Sequence, residues 1–201
     1  YKRQGSQLLE VKAALASSCV QPPTQVGCNL RFLPSLLRLR TLLQDGAIGR
    51  VVRASFEAGQ WLPDWRPQQD YHKSYSADPQ QGGGVLLDLI HEIDAARWLL
   101  GELTPMACQI AQVPALSIQS EAAATALLRS DEGALVQIAL DYVARRPLRR
   151  YQLVGEQGTL IWDLPRQELL LETPEGRHSI ACGASGFDVR ATYRSALATF
   201  L

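Results

Sequence analysis

The chain has 201 residues, with 20 Lys and Arg against 20 Asp and Glu and a hydrophobic share of 46%. That length suits one sizeable core, and the balanced charge draws the chain toward neither nucleic acid nor an anionic membrane. No apolar run approaches the ~20 residues of a membrane span.

The amino terminus, Tyr1-Lys2-Arg3, leads into an amphipathic stretch and carries no secretory pattern. Cys19, Cys28, Cys108 and Cys182 are scattered, with no C-x-x-C pair. In a chain of this length that spacing argues for free thiols in a reducing cytosol, not a disulfide framework or a zinc ribbon. A cytoplasmic location is the expectation.

Gly5 to Ser17 has a rough 3.6-residue apolar period and is predicted as a helix, ended by Gln21-Pro22-Pro23-Thr24. Gln25 to Leu30 is a strand candidate. A helix and strand with nothing before them read as the tail of an α/β unit. Phe32 to Leu43 is the next predicted helix. Pro34 suits its first turn, Leu36, Leu37, Leu39, Leu42 and Leu43 form the apolar stripe, and Asp45-Gly46 ends it. Arg50 to Ala58 alternates, with Val52, Ala54, Phe56 and Ala58 on one face, the pattern of a half-buried strand.

Gly59 to Gln81 follows neither period. It holds Trp61, Trp65, Tyr71, His72 and Tyr75 among Asp64, Arg66, Asp70 and Lys73. So long a segment without regular structure is often a lid or binding loop. It is equally a compact loop packed by its own aromatics.

Gly82-Gly83-Gly84 opens the stretch around which the chain is organised. From Val85 to Leu100 the pattern is helical, and Gly101 suits the left-handed residue that commonly ends a helix. Leu86, Leu89, Ile93, Ala96 and Leu100 fall on one side. The other side carries Asp88, His91 and Asp94 among Leu87, Ala95 and Trp98. A helix apolar on both sides is usually buried, and buried carboxylates and imidazoles need partners. Those partners are each other, the backbone or a ligand, so this stripe is either a hydrogen-bonded structural cluster or a catalytic one. Three side chains from a single helix make a poor metal site, since catalytic ligand sets usually draw on several elements.

Strands follow: Ala107 to Pro114, then Ala122 to Arg129 and Ala134 to Val143 as a hairpin about Ser130-Asp131-Glu132-Gly133. Leu148 to Val154 and Thr159 to Asp163 flank Gly155-Glu156-Gln157-Gly158. Glu168 to Glu172 and Arg177 to Ala181 flank Thr173-Pro174-Glu175-Gly176. Phe187 to Leu201 is predicted as a last helix. Successive hairpins imply an α+β fold, a large mostly antiparallel sheet with helices on one face. No G-x-G-x-x-G or G-K-[ST] turn occurs, and Gly155 to Gly158 lies between strands, so no phosphate loop is visible.

Four phrases carry a family resemblance. Val26 to Pro34 resembles a nucleotide-domain strand running into R-F-x-P. Leu42 to Val51 resembles L-x-x-G-x-I-G-x-V. Gly82 to Gly101 resembles a signature helix, and Gly155 to Leu160 resembles G-x-x-G-T-L. In this order they resemble the glucose–fructose oxidoreductase / inositol dehydrogenase / MocA group of NAD(P)-dependent oxidoreductases.

The resemblance implies a two-domain parent. Residues 1–30 would be the last helix and strand of its nucleotide-binding domain, and 31–201 the substrate and oligomerisation domain. The dinucleotide-binding turn and a catalytic Lys would lie upstream. The cofactor would be NAD or NADP, the substrate a sugar or polyol, and the open sheet face a homo-oligomer contact. His91 is carried over as the catalytic acid–base. Asp88 is its catalytic partner, although many members space Asp and His by four residues and here the spacing is three. Asp94, Arg66, Tyr71 and Tyr75 are expected to bind substrate, and Asn29 and Arg31 to lie near the nicotinamide. No metal site and no nucleic-acid or membrane partner is implied. The rival reading is a ligand-binding or oligomerising module that kept the fold without the chemistry. A metal hydrolase is the third.

Overall fold

The computed structural model describes residues 5–19 and 24–200. The predicted break at Gln21-Pro22-Pro23 lies outside the described residues. Helix α1 spans Gly5–Ala16 and, over the residues whose side chains are described, is exposed except at half-buried Leu15, with Leu9 68% accessible. The strand expected from Gln25 to Leu30 does not form. A strand needs a neighbour to complete its hydrogen bonds, and here the amides turn back locally, Cys28 N–H to the Val26 carbonyl and Asn29 N–H to Gly27. A 3-10 turn over Asn29–Phe32 replaces its end.

Helix α2, Pro34–Gln44, starts at its proline and buries Leu36, Leu39 and Leu42, whereas Leu37 points outward. Strand β1, Val51–Gly59, follows. Next come four short 3-10 turns, Leu62–Trp65, Tyr71–Lys73, Tyr75–Ala77 and Pro79–Gln81. The helix expected from Val85 to Leu100 is two pieces: α3, Val85–Asp88, and α4, Ile90–Leu100. They break at Leu89, whose φ of −102° and ψ of 36° lie off the helical region. Gly101 does take a positive φ, 79°, but its ψ of −161° is extended rather than left-handed helical.

Seven further strands complete one sheet. They are β2 Leu103–Ala111, β3 Ala123–Ser130, β4 Leu135–Asp141, β5 Leu148–Gly155, β6 Thr159–Asp163, β7 Glu168–Thr173 and β8 Gly176–Ser179. Helix α5, Val189–Phe200, ends the described chain. The fold is α+β. The strand order is β2-β3-β4-β1-β5-β6-β7-β8, and every pairing is antiparallel except β1 with β4. The three predicted hairpins form in register, Ala126 opposite Ile138, Leu153 opposite Leu160 and Leu170 opposite Ser179.

Alternation decides which face is covered. Ala54, Phe56 and Ala58 of β1, Val136, Ile138 and Leu140 of β4, and Tyr151 and Leu153 of β5 are buried under the helices. Their neighbours Arg53, Thr125, Leu127 and Leu135 face outward and are exposed. Phe56, Tyr151 and Trp162 stack across three strands, with ring centroids 4.8 and 4.6 Å apart. The Trp162 indole donates to Ser35 Oγ at 2.8 Å and ties α2 to the sheet. No helix among the described residues is long and apolar enough to cross a membrane.

Candidate functional site

The turn leading into α3 is threaded, at Gly83 and Gly84, through a space that admits no side chain. A Cβ on Gly83 would overlap the Tyr75 carbonyl oxygen, and one on Gly84, at φ 113°, would overlap the Glu121 carboxylate. Glyless backbone could not pass there, which is why the turn is written in glycine. Glu121 then serves the start of α3. Its carbonyl accepts from Val85 N–H at 3.1 Å, and its carboxylate from Leu86 N–H at 3.3 Å.

Asp88 ends α3 and is buried, 8% accessible. The hydroxyl of Tyr142, from the residue just past β4, donates to Asp88 Oδ2 at 2.7 Å. Burial, and next the Asp88 charge, push the Tyr142 phenol far above its ordinary pKa, so it stays a donor. The Tyr142 ring meets Trp65 edge-on at 5.3 Å. Trp65 is half-buried, and its buried indole N–H has no acceptor among the described residues.

Asp88 and Trp65 line a cleft of about 310 Å³ with Gln60, Arg149, Pro147, Leu164 and the carboxyl end of β1. That is the small end of the ~300–1,000 Å³ range for small-molecule pockets.

Beneath it lies a carboxylate that the sequence reading overlooked. Glu92 on α4 is wholly buried, accepts from Arg149 Nε at 2.8 Å, and accepts from the Tyr151 hydroxyl at 3.1 Å. Burial raises its pKa, while the Arg149 charge and the Tyr151 hydroxyl pull it back. The signal was present in the sequence: Glu92 is three and four residues from Leu89, Ala95 and Ala96, all buried.

On the other flank of α4, Asp94 and Arg31 form a forked ion pair. Arg31 Nε and Nη2 donate at 2.9 and 2.6 Å, and the side chains are 15% and 42% exposed. The hydrogen bond to Asp94 raises the Arg31 pKa. Burial, then Asp94, push the nearby Cys28 thiol up to about 11, so it is held as the thiol. These residues wall a second cleft of about 650 Å³ with Ile90, Ile93 and Arg97.

His91 is half-buried on α4, three residues after Asp88 across the break at Leu89 and one turn before Asp94, and it is in the lining of neither cleft. Asn29 is drawn away from both clefts: it is buried and donates to Thr192 Oγ1 of α5 at 2.7 Å.

The long loop is held by its own groups. Arg66 lies over the Tyr75 ring at 5.4 Å, Tyr71 stacks on His72 at 4.0 Å, and the Tyr71 hydroxyl donates to the Leu116 carbonyl at 3.2 Å. The structure therefore joins Asp88 with Trp65 and Arg149, and Arg31 with Asp94. Arg66 and Tyr71 line a nearly filled crevice with Leu62 and Gln69 that shares only Trp65 with the first cleft. Among the described residues no three His, Cys, Asp or Glu side chains converge as a metal would need.

A model of the GFO/IDH/MocA C-terminal domain matches residues 36–161, well over half of the chain. The chain belongs to this family. As a GFO/IDH/MocA domain, it is 27% identical over 157 residues to the D-apiose dehydrogenase of Paraburkholderia graminis, covering 73% of this chain and 39% of that protein. It is 32% identical over 112 residues to the levoglucosan dehydrogenase of Pseudarthrobacter phenanthrenivorans, covering 54% and 28%. The domain thus spans less than half the length of these relatives. In fold it is similar to an inositol dehydrogenase homologue from Azotobacter vinelandii solved with NAD+. The TM-score is 0.71 at 16% identity, over 87% of this chain and 53% of that one.

Proposed function

We propose that this GFO/IDH/MocA domain is the substrate-binding, His91-bearing part of an NAD(P)-dependent oxidoreductase acting on a hydroxyl or carbonyl of a sugar or polyol. The observation that carries this reading is Asp88, anchored by Tyr142, on the wall of a monosaccharide-sized cleft three residues before His91 in the chain. Relatives named for D-apiose, levoglucosan and inositol support the substrate class.

The dinucleotide would be held mainly by a domain outside these residues, because the chain has no glycine-rich strand-to-helix turn for its phosphates. Of this chain's residues, Arg31, held by Asp94, would stand toward the nicotinamide end. Arg31 and Asp94 form a fixed charged fork in the 650 Å³ cleft, and Ile90 and Ile93 an apolar wall. When bound, the nicotinamide supplies a hydride acceptor at C4.

The chain's own residues supply the rest. His91 takes the hydroxyl proton as the carbonyl forms, the role of a general base within hydrogen-bond reach. Asp88 accepts from a neighbouring substrate hydroxyl, and its Tyr142 bond fixes its orientation. Trp65 offers an apolar face to ring C–H groups. The open sheet face, with Leu127 and Leu135 exposed, supports a homo-oligomer, and the four free cysteines support a cytoplasmic location.

In the complete protein carrying this chain, His91→Ala lowers turnover by roughly 10²-fold or more; unchanged turnover removes His91 from the chemistry. The helix break at Leu89, which separates Asp88 from the helix of His91, favours the second reading, a ligand-binding or oligomerising module without catalysis. Such a module would bind polyol but show no nicotinamide reduction.

A further inference from the structure

The oxidoreductase reading leaves one charged group of the first cleft without a task. Arg149 lines the cleft, 20% of its side chain is exposed, and the wholly buried Glu92 holds it from below. Glu92 occupies the Nε–H, and one η N–H reaches its second oxygen at 3.5 Å. A guanidinium has five N–H groups in a rigid fork. The remaining η donors of Arg149 meet no acceptor among the described residues.

A buried ion pair is a poor stabilising device, because the desolvation of two charges offsets their attraction. Its attested use is to fix an arrangement. Here the Glu92 fork, with Tyr151 donating to the same carboxylate, leaves Arg149 a single orientation beside the cleft.

Building on the reading above, we propose that Arg149, locked by Glu92, is the specificity-determining residue of this cleft and selects an uncharged polyhydroxylated ring over an acidic one. Arg149 donates to a ring hydroxyl oxygen, Asp88 on the same wall accepts from a hydroxyl proton, and Gln60 does either. Together these sites match the paired donor and acceptor character of neighbouring sugar hydroxyls.

Formal charge makes the discrimination. Asp88 and Glu92 set two carboxyl groups against the one guanidinium of Arg149 on this wall, an arrangement less favourable to a ligand carboxylate or phosphate than to a hydroxyl. Of the two basic residues before the cleft's Pro147, Arg145 is stacked on Trp61 at 3.8 Å, and Arg146 is exposed and outside the cleft's lining. Removing the Arg149 donor loses a ligand hydrogen bond, and removing the Glu92 charge shifts the balance toward anions.

The test is calorimetric titration of the complete protein carrying this chain with myo-inositol and, separately, D-glucuronate. The wild-type chain binds myo-inositol more tightly. Arg149→Gln alone strands a buried carboxylate and risks the fold, so the deciding variant is the double change Arg149→Gln with Glu92→Gln, with folding checked by circular dichroism. The double variant weakens myo-inositol binding by about tenfold or more, the worth of a hydrogen bond to a charged donor. The single variant Glu92→Gln lowers the inositol-to-glucuronate affinity ratio at least about fivefold, a change that a purely structural role would not produce.

Double-variant affinity within twofold of wild type, an unchanged ratio in Glu92→Gln, or a wild-type chain that prefers glucuronate or binds neither ligand each overturns the proposal. Binding that behaves as stated in a complete protein without dehydrogenase activity overturns the oxidoreductase reading alone. Activity on polyols with Arg149 silent overturns this inference alone.

Discussion

Tyr142→Phe tests the anchor of the cleft. The substitution deletes one oxygen and keeps the ring, so the edge-on packing against Trp65 at 5.3 Å persists. What is lost is a 2.7 Å hydrogen bond to a carboxylate 8% accessible, from a tyrosine with no exposed surface. Hydrogen bonds to a charged partner contribute roughly 1.5–3 kcal/mol, and little solvent reaches Asp88 to replace this one. For a chain of this size that corresponds to roughly 3–12 °C in melting temperature.

Urea unfolding followed by tryptophan emission measures it, with the midpoint lowered and the slope unchanged. Alkaline pH gives a second readout. The folded-state pKa of Tyr142 is raised, so its contribution is fully present below the unfolded value near 10 and is lost as pH rises above it. Wild-type stability therefore falls between pH 10 and 11 by up to about 1.4 kcal/mol more than that of the variant. A stability loss under about 0.5 kcal/mol, with identical alkaline slopes, would refute the claim that this bond holds Asp88 in place.

Two other perturbations probe the surroundings. Asp94→Asn removes two causes that raise the Cys28 thiol from its ordinary range to about 11 and leaves Arg31 lowering it. Cys28 alkylation at pH 8.5, followed by peptide mass spectrometry, then quickens, by about tenfold for each unit of fall; an unchanged rate contradicts the assignment. Ser35→Ala strands the indole N–H of wholly buried Trp162 and costs about 1–3 kcal/mol in chemical unfolding. No measurable cost would mean that α2 is held to the sheet by apolar packing alone.

Local signals in the sequence were read with good fidelity and distant ones were not. The hairpins were visible because Ser130 to Gly133, Gly155 to Gly158 and Thr173 to Gly176 are turn chemistry between alternating runs. The parallel pairing of β1 with β4 joins residues such as Phe56 and Ile138 across 82 positions, and no local pattern encodes it. Gln25 to Leu30 has strand composition, but pairing belongs to two segments and no strand among the described residues pairs with it.

At the site, Asp88 and Asp94 were legible as costly carboxylates on an apolar helix. Their partners, Tyr142 and Arg31, come from 54 and 63 residues away and were not legible as such. Glu92 lies off the His91 stripe, and only its buried neighbours Leu89, Ala95 and Ala96 mark it as the more deeply buried acid. The kink at Leu89 had no proline or glycine to announce it.

The position of β1 has a mechanical consequence. β2, β3 and β4 form one meander and β5 to β8 another, and the two wings join only along this first strand, parallel on one flank and antiparallel on the other. The 310 Å³ cleft opens at the end of that seam, at Ala58, Gly59 and Gln60, with Arg149 and Leu164 supplied by the second wing. Any change in the twist between the wings widens or narrows the opening. Phe56, two residues before cleft-lining Ala58 and 4.8 Å from the Tyr151 ring of the second wing, is wedged where both wings meet.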